Sequence, residues 1–461
     1  MAPRFYIEGQ SATHVALLLF VLLFLFRYLR TFVGIWTFIT YPITPVRTNP
    51  RYRSRRDVSV VVPTTFKTPH ELANCLRSIL ACRPHEIFVV TSSVQLPVLE
   101  AFCMSNGFDN YVRCLGVPKL NKRKQILTAL QHVKTPIVAF ADDDVFWPNT
   151  SFLDYTLAPF EDPKVGAGGP RQRVRRSASP NGWWFLGCAY LERRVWNNLC
   201  TQAIDGSIST LSGRTALYRT EILRSDEFFH YFQTDSWLGR KLNSDDDKCL
   251  TRYVYSHGWN IKIQGDERAT IETTLEEDSK FLDQCLRWAR AHFRGNFTVM
   301  TNETYWRSFK HFWGLYVIYI SQSQTPALGI DGLLMALLVF GLGRPVSDST
   351  FEISMLASWI LFTKLLKLIP HFVRHPGDLR FAPLSICFSY AHGALNLWAL
   401  FTLHRCHWGG KDLGGHGQAP DDEYVTLKEH SAIPETKGDG LVEIVIEKVP
   451  LSDSSDDRKS H

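Results

Sequence analysis

Apolar residues are concentrated in two parts of the chain, near its start and after residue 300. The first run, VALLLFVLLFLF, covers residues 15–26, and apolar character continues to Ile39 with interruptions at Arg27 and Arg30. Since a helix needs about 20 apolar residues to cross a bilayer, the extended pattern predicts an uncleaved membrane anchor. A cleavable signal peptide is the alternative, but the segment has neither a basic start nor a convincing small-residue cleavage site.

Basic residues follow this predicted anchor. Only Arg4 precedes it, whereas several arginines lie just behind it: Arg47, Arg51, Arg53, Arg55 and Arg56. Because the cytoplasmic flanks of membrane helices carry the excess of Lys and Arg, we expect the domain that follows to be cytosolic. A solvated basic linker would give the same sequence and is compatible with this orientation.

From residue 57 the pattern changes to short apolar runs that alternate with helical spacing. The strands are predicted at 58–63, 86–91 and 136–144, and the helices at 71–81 and 122–133. Continuous apolar strands between helices are typical of a mostly parallel sheet covered on both faces. Ligands bind such sheets at the carboxyl ends of their strands, and three aspartates end the last of these runs.

Past residue 300 the chain is apolar again, at 312–320, 327–342, 351–369 and 381–403. The last two segments are long enough to span a membrane. The first two segments are compatible with three arrangements: one broken helix, a hairpin, or an interfacial helix followed by one span. The basic segment 364–380 has the pattern of an amphipathic helix on a membrane surface. The residues after 408 are rich in Gly, then acidic and rich in Ser, which predicts disorder.

These changes divide the chain into four predicted parts. They are an anchor with a basic linker (1–56), a cytosolic α/β domain (57–300), interfacial and transmembrane helices (301–405), and a tail (406–461). With 45% hydrophobic and 21% charged residues among 461, the chain is neither wholly disordered nor collagen-like. A mean hydropathy of -0.11 excludes a chain made only of membrane helices.

Charge is unevenly distributed. The net charge is +6, to which residues 419–461 contribute −6 and the remainder +12. A basic body fits nucleic acid, anionic lipid or a phosphorylated substrate as a partner.

The aspartates at 142, 143 and 144 carry the first candidate chemistry. Adjacent carboxylates repel one another, and a divalent ion that also binds a diphosphate would relieve the repulsion. Mg²⁺ and Mn²⁺ take one or two carboxylates together with phosphate oxygens. The alternative is a helix N-cap or an acidic loop.

Two further patterns could bind a phosphorylated sugar. Lys122 and Arg123 begin a predicted helix, where they would clamp a phosphate; a solvated basic helix start is the alternative. Gln284, Arg287 and Trp288 share one helix face by their i, i+3, i+4 spacing, and an indole with a guanidinium suits stacking and pyrophosphate binding. Here the alternative is an amphipathic helix with a surface Arg and a core Trp.

In order along the chain, these patterns resemble the family 2 glycosyltransferases. The order is Asp142-Asp143-Asp144 after a strand, Ser212-Gly213 with Tyr218-Arg219, DDKCLT from Asp246, and QCLRW from Gln284. The pattern is most similar to processive membrane synthases, namely hyaluronan synthases, bacterial type 3 capsule synthases and their fungal relatives. His407-Trp408-Gly409-Gly410 resembles the gating stretch of these enzymes.

This resemblance implies a nucleotide-sugar-binding, GT-A-like α/β domain with a mostly parallel sheet, fused to a transmembrane α-helical bundle. It implies an inverting hexosyltransferase that polymerises a polysaccharide from a UDP-sugar and exports it. Asp247 would be the general base, and Asp144 with Asp142 would hold Mg²⁺ or Mn²⁺. The implied substrate-binding residues are Lys122, Arg123, Asp142, Ser212, Gly213, Asp246, Gln284, Arg287 and Trp288.

The implied partners are the UDP-sugar, the growing polysaccharide and membrane lipids, with no nucleic acid. The implied location is the plasma membrane, with several spans and a cytosolic catalytic domain. Two alternatives are a single-sugar transferase with a lumenal domain and a non-catalytic membrane protein that retained the fold.

The chain departs from the family pattern at two of its motifs, and its N-terminal apolar stretch predicts one span where hyaluronan synthases have two. Val89-Val90-Thr91-Ser92-Ser93 replaces the acidic residues that hold uracil in most members, so base recognition is expected to differ. Asp245 replaces the glycine before the base motif.

Overall fold

The computed structural model describes residues 2–324, 326–405 and 425–427. Its helices in chain order are α1 (Ala2–Ile39), α2 (Ser54–Asp57), α3 (Pro69–Ala81), α4 (Leu96–Ser105), α5 (Lys122–Leu130), α6 (Phe152–Leu157), α7 (Gly182–Asp205), α8 (Thr220–Leu223), α9 (Asp226–Thr234), α10 (Asp246–Ser256), α11 (Lys280–Asn302), α12 (Phe312–Gly314), α13 (Ala327–Leu342), α14 (Thr350–Leu366), α15 (Ile369–Arg374) and α16 (Ala382–Phe401).

The strands are β1 (Val58–Pro63), β2 (Glu86–Ser92), β3 (Val112–Val117), β4 (Ile137–Ala141), β5 (Val145–Phe146), β6 (Val165–Gly169), β7 (Arg171–Val174), β8 (Thr215–Arg219), β9 (Ser236–Trp237), β10 (Arg240–Lys241), β11 (Asn260–Ile263) and β12 (Thr270–Thr273). The main sheet has the order β11-β6-β8-β4-β1-β2-β3. Within it β8 is antiparallel to β4 and β6, and the other pairs are parallel. A smaller sheet, β5-β12-β7, continues beside it.

The central strands are apolar on both faces because each face packs into its own core. In β1, Val61 contributes to one core with Phe88 and Val90 of β2. Val60 and Val62 face the other core. All six residues of β1 are buried, and full burial of one such side chain contributes about 1.5–3 kcal/mol. The predicted strands and helices of this region are therefore confirmed, with boundaries shifted by a few residues.

Helix α1 is attached to the α/β part at its C-terminal end. Phe38 stacks on Trp196 of α7 with ring centres 4.0 Å apart. The Tyr41 hydroxyl oxygen lies 2.5 Å from Gln202 Oε1 and 2.8 Å from the Ile263 carbonyl oxygen, and either one can accept its hydrogen. Helix α1 and the main sheet are thus joined through α7 and through Tyr41.

The arginine that interrupts the apolar run of α1 has a buried partner. Arg27 Nη2 lies 2.5 Å from Asp331 Oδ1 on α13, and Lys364 Nζ of α14 lies 2.9 Å from Asp331 Oδ2. One carboxylate therefore joins three helices. Ionisable side chains in apolar surroundings are costly unless they are paired in this way.

Two helical stretches among the described residues are long and apolar enough to cross a membrane, Ser11–Ile39 and Pro376–Phe401. A third is possible if Phe309–Gln324 and Ala327–Leu342, which meet at 86°, form one broken span. The segment predicted at 351–369 as a span forms α14, which has 17 residues. The transmembrane bundle therefore remains a prediction.

The basic segment 364–380 packs on α7. Leu368 is buried against Trp184 and Phe185, Arg374 pairs with Glu192, and Asp378 accepts hydrogen bonds from Arg176. These contacts connect the C-terminal helices to the α/β part.

The predicted gating stretch at 407–410 and most of the predicted disordered tail lie outside the described residues. Residues 425–427 are an exception. The Gln233 side chain exchanges two hydrogen bonds with the Val425 backbone, and Gln131 Nε2 donates to the Thr426 carbonyl at 2.8 Å. This short piece of the tail has specific partners on α9 and at the residue just after α5.

Candidate active site

One edge of the main sheet collects the predicted site residues. The parallel strands β1, β2, β3 and β4 all end there, and the antiparallel β8 begins there. The Asp142 amide just after β4 donates to the Arg214 carbonyl just before β8, at 3.0 Å. The strand pairing therefore places Ser212-Gly213-Arg214 next to the three aspartates.

Lys122 lies between two groups of carboxylates at this edge. Its Nζ donates to Asp142 Oδ1 at 2.7 Å and lies 3.1 Å from Asp246 Oδ2. A Cβ at Gly213 would lie 3.3 Å from the same Nζ. Burial opposes the charge of Lys122, but Asp142 and Asp246 outweigh burial and raise its pKa. A side chain at position 213 would therefore press against this ammonium group.

The other two aspartates after β4 both have raised pKa values. Burial and the charges of Asp142 and Asp143 raise the pKa of Asp144 to about 7. The pKa of Asp143 is raised mainly by burial, although its Oδ2 accepts a hydrogen bond from Thr64. Burial and mutual repulsion therefore both oppose ionisation of these two carboxyl groups.

The second acidic group begins α10. Asp245 precedes the helix in the left-handed region with φ of 62°, a conformation that glycine adopts without strain. Its Oδ2 accepts from Arg294 Nη2 at 2.8 Å and from Arg294 Nε at 2.9 Å. Both side chains are at most 6% exposed. The aspartate at this family glycine position therefore keeps the backbone shape and adds a buried ion pair to α11.

Asp246 and Asp247 occupy different environments on the first turn of α10. Burial opposes ionisation of Asp246, but Lys122 and Arg123 outweigh burial and lower its pKa. The pKa of Asp247 is raised by burial and by the charge of Asp246. Asp247 Oδ1 accepts from the Lys248 amide at 2.8 Å, and Oδ2 lies 3.9 Å from Arg194 Nη2. The raised pKa makes Asp247 the better proton acceptor of the pair.

The indole of Trp288 on α11 is supported by two side chains. The Tyr190 ring lies 4.7 Å from it, centre to centre, and the Arg214 guanidinium carbon lies 5.3 Å from the indole ring centre. Trp183 packs in the same cluster. Trp288 is half-buried, so part of its surface remains available to a ligand.

The other members of the predicted helix face differ in burial and charge. Gln284 Oε1 is buried without a hydrogen-bond partner among the described residues. Burial lowers the pKa of Arg287, while Asp142, Asp245, Asp246 and Asp247 act in the opposite direction. Arg287 therefore lies within the field of both acidic groups.

Arg123 points away from the carboxylates after β4. Its guanidinium donates to the carbonyls of Phe232 at 2.7 Å and Ser244 at 2.8 Å, and to Asp235 Oδ2 at 3.0 Å. The side chain is 3% exposed. Arg123 thus positions the loop before α10, whereas its neighbour Lys122 faces the carboxylates. Ser212 is buried beside Gly213, and its Oγ lies 3.5 Å from the Arg214 amide.

The end of β2 carries hydroxyl groups at the positions where most members of the family that the sequence resembles carry acidic residues. Thr91 Oγ1 and Ser92 Oγ both donate to Gln95 Oε1 at 3.2 Å. Gln125 Nε2 donates to the carbonyls of Thr64 at 3.0 Å and Val90 at 2.6 Å. This part of the edge offers neutral hydrogen-bonding groups.

A cavity of about 550 Å³ opens from Asp247 and Trp288. It runs between α7 and α11 towards Gly34 of α1 and His392 of α16. Its walls therefore include both helices that are long enough to cross a membrane. The carboxylates after β4 do not line it.

The acidic edge suits a divalent cation. Among the described residues, no group of three or more His, Cys, Asp or Glu side chains is arranged as a complete metal cage. Mg²⁺ and Mn²⁺ are commonly bound by only one or two carboxylates, with phosphate oxygens and water as the other ligands. The raised pKa of Asp144 and the hard oxygen donors of Asp142 and Asp144 fit that mode of binding.

Comparison with known proteins agrees with this geometry. A family model described as "Glycosyltransferase like family 2" matches residues 55–291, just over half of the chain. The chain belongs to glycosyltransferase family 2. The predicted family membership is thereby confirmed, and this glycosyltransferase carries the family's motifs at the edge of the sheet described above.

Two curated relatives extend the match beyond the α/β part. A "Type 2 glycosyltransferase" from Gibberella zeae is 41% identical over 418 residues, which cover 88% of this chain and 77% of the relative. A hyaluronan synthase from Streptococcus pyogenes serotype M3 is 22% identical over 395 residues, covering 83% of this chain and 88% of the synthase.

A solved structure has a similar fold. The mannosyltransferase PcManGT from Pyrobaculum calidifontis, in complex with GDP-Man and Mn²⁺, aligns with a TM-score of 0.53 at 16% identity. The alignment covers 84% of this chain and 99% of that one. The GT-A-like fold with a mixed, mostly parallel sheet is therefore confirmed for this glycosyltransferase.

Sequence reasoning missed the side chains that α7 and the C-terminal part of α11 bring to the site. Tyr190 and Arg194 lie four residues apart on α7 and so share one face, but nothing in the sequence shows that this face meets Asp247 and Trp288. The sequence did not predict the ion pair of Arg294 either, because its partner Asp245 lies 49 residues away in the chain.

The left-handed conformation of Asp245 gives a stability prediction. Asp245→Gly and Asp245→Ala both leave Arg294 buried without its carboxylate, which costs about 3–5 kcal/mol. Alanine adds about 1–2 kcal/mol because a Cβ disfavours the left-handed region. We expect Tm, measured by thermal unfolding in detergent, to decrease in the order wild type, Asp245→Gly, Asp245→Ala.

A double variant controls for the ion pair. Asp245→Gly combined with Arg294→Leu removes both charges and should recover part of the lost Tm, because an apolar replacement of a buried pair is often tolerated. Equal Tm values for the two single variants would show that the backbone at 245 imposes no preference for glycine.

Proposed function

We propose that this glycosyltransferase is a membrane-embedded, processive, inverting synthase that builds a polysaccharide from a UDP-sugar and exports it. One observation carries the proposal. The cavity that begins at Asp247 and Trp288 extends to side chains of α1 and α16, the helices long enough to cross a membrane. A product that lengthens at Asp247 then has a continuous space leading towards the membrane helices.

The donor occupies the acidic edge in this proposal. Asp142 and Asp144 hold Mg²⁺ or Mn²⁺ there, and such an ion, when bound, offsets the negative charge of the nucleoside diphosphate. Lys122 lies 2.7 Å from Asp142 and is placed to share the diphosphate charge. Arg287 contributes a second cation near the same carboxylates.

Asp247 acts on the acceptor. Its Oδ1 is held by the Lys248 amide, which leaves Oδ2 to accept the proton of the acceptor hydroxyl. The deprotonating hydroxyl oxygen attacks the anomeric carbon on the face opposite UDP, so the anomeric configuration inverts. Trp288 stacks on the acceptor sugar, and stacking on an indole permits the chain to slide after each addition.

The central experiment compares Asp247→Asn and Trp288→Ala in purified protein, with single UDP-sugars and Mg²⁺ or Mn²⁺. Asparagine retains the shape of Asp247 but cannot take the proton, so kcat should fall by about 10²–10⁴-fold with little change in donor affinity. Trp288→Ala should shorten or abolish the polymer while some UDP release to water persists. UDP release, product length on a gel and donor binding by calorimetry are the measurements.

Three results would contradict the assignments. Wild-type polymerisation by Asp247→Asn would remove Asp247 as the base. Full activity in excess EDTA would exclude the divalent ion. A product of one added sugar, under conditions of excess donor, would favour a single-sugar transferase.

The acidic limb of the pH profile should depend on Arg194. Asp247 works only when ionised, so kcat falls as the pH decreases through its raised pKa. Arg194 lowers that pKa. Arg194→Gln should therefore raise it further and move the acidic limb to higher pH by roughly one unit. Arg344→Gln, at an exposed ion pair with Glu352, is the matched control and should leave the limb in place. An unmoved limb in Arg194→Gln would mean that another group titrates.

The orientation of the catalytic domain is tested by glycosylation. The sequons are at Asn149, Asn296 and Asn302, of which Asn296 is 1% exposed and Asn302 is exposed. A cytosolic domain should show no mass change on endoglycosidase treatment. A shift that disappears in Asn302→Gln would instead establish a lumenal domain.

A further inference from the structure

A short segment of the tail, residues 425–427, lies on the surface of the α/β part. Val425 and Leu427 are half-buried and pack against the core that includes Leu130 of α5 and Phe229 of α9. Thr426, between them, is exposed. Alternation of covered and exposed side chains is typical of an extended chain with one face against a protein surface. The tail segment therefore presents an apolar face to α5 and α9.

The backbone of the tail segment is also bound. The Val425 amide donates to Gln233 Oε1 at 2.7 Å, and Gln233 Nε2 donates to the Val425 carbonyl at 2.9 Å. The Thr426 carbonyl accepts from Gln131 Nε2 at 2.8 Å. Gln233 is 4% exposed with the segment in place. Main-chain hydrogen bonds combined with alternate side-chain contacts are a common mode of binding extended peptides, so this surface has the properties of a peptide-docking site.

The docking surface is connected to the acidic edge through the end of α9. Gln233 lies two residues before Asp235. The Asp235 carboxylate accepts from Arg123 of α5 at 3.0 Å and from Arg252 of α10 at 2.8 Å. Arg123 also donates to the carbonyl of Ser244, in the loop before α10. A contact that holds the last turn of α9 therefore acts on the same junction that positions this loop.

Helix α5 provides a second connection. Its first residue, Lys122, pairs with Asp142 and Asp246 at the acidic edge. Gln131, which directly follows the last residue of α5, contacts the tail segment. The segment thus joins the C-terminal ends of α5 and α9. A shift of α5 relative to α9 would change the position of Lys122 relative to Asp246.

We propose that the surface formed by α5 and α9 is a docking site for the chain's own tail segment, residues 425–427, and that the docked segment positions Lys122 and the loop before α10 for donor binding. The docking rests on the contacts of the segment alone. The effect on the donor rests on the proposed function. The tail segment acts by positioning, because its contacts are with Gln131 and Gln233 and not with the carboxylates.

Hydrogen exchange of the full-length protein in detergent tests the docking. Val425→Asp and Leu427→Asp each place a charge on the covered face, and Thr426→Asp places the same charge on the exposed face as the matched control. The amide of residue 425, corrected for its intrinsic rate, should exchange about tenfold faster or more in the first two variants. Gln233→Leu removes both reciprocal hydrogen bonds and should accelerate it by about tenfold. Thr426→Asp should match wild type.

Three exchange results would overturn the docking. The first is a wild-type amide at residue 425 that exchanges at its intrinsic rate. The second is equal exchange in Val425→Asp, Leu427→Asp and Thr426→Asp. The third is protection that increases with protein concentration, which would mean that the segment docks on a second copy of the chain.

The double variant Val425→Asp/Leu427→Asp tests the positioning. UDP with Mn²⁺, titrated by calorimetry, should bind it severalfold more weakly than wild type, and KM for a UDP-sugar should rise by the same factor with kcat almost unchanged. Exchange in the loop before α10 should also accelerate. A synthetic peptide of residues 420–430, PDDEYVTLKEH, should restore UDP affinity at the millimolar concentration that a flexible linker supplies. The same peptide with Asp at positions 425 and 427 is the control and should not.

Two outcomes separate this inference from the proposed function. If residue 425 is protected and UDP binds the double variant as tightly as wild type, the positioning role is wrong and the proposed donor stands. If residue 425 is protected, and the loop before α10 responds to its release, but UDP does not bind wild type, the docking stands and the proposed donor is wrong.

Discussion

The active site depends on keeping several carboxylates together at one edge of a sheet. At an effective dielectric of 20, two unit charges 4 Å apart repel by about 4 kcal/mol. Lys122 offsets part of this repulsion, because its ammonium group pairs with Asp142 after β4 and with Asp246 on α10. The lysine therefore joins the half of the site where we propose that the donor binds to the half that holds the proposed base. Burial, together with the charge of Asp142, still raises the pKa values of Asp143 and Asp144.

The sequence was informative where one local pattern determines one structure. Continuous apolar runs predicted the central strands, and the order of four motifs predicted the family. The sequence could not predict the direction in which side chains point. Lys122 and Arg123 are neighbours at the start of one helix, yet only Lys122 faces the carboxylates. Arg123 points inward because its guanidinium donates to the Phe232 carbonyl and to Asp235, which are more than 100 residues away in the chain. The length of an apolar segment could not predict the membrane arrangement either. An apolar helix of 17 residues such as α14 can be buried within a protein or lie in a bilayer.

The two sides of Asp247 have opposite electrostatic character. Towards β4 lie carboxylates, and towards α1 and α16 the cavity is lined mainly by basic side chains among its charged residues. Asp247 lies between the two sides. Burial and the charge of Asp246 raise its pKa, while Arg194 acts in the opposite direction.

The shared carboxylate of Asp331 has a consequence for how the chain is made. If α13 enters the bilayer, its unpaired acid costs about 2.5–3.5 kcal/mol on translocon scales. Arg27 of α1 is synthesised some 300 residues earlier and Lys364 of α14 some 30 residues later. One partner of the acid is therefore already made when α13 is synthesised, and the other becomes available only once α14 follows.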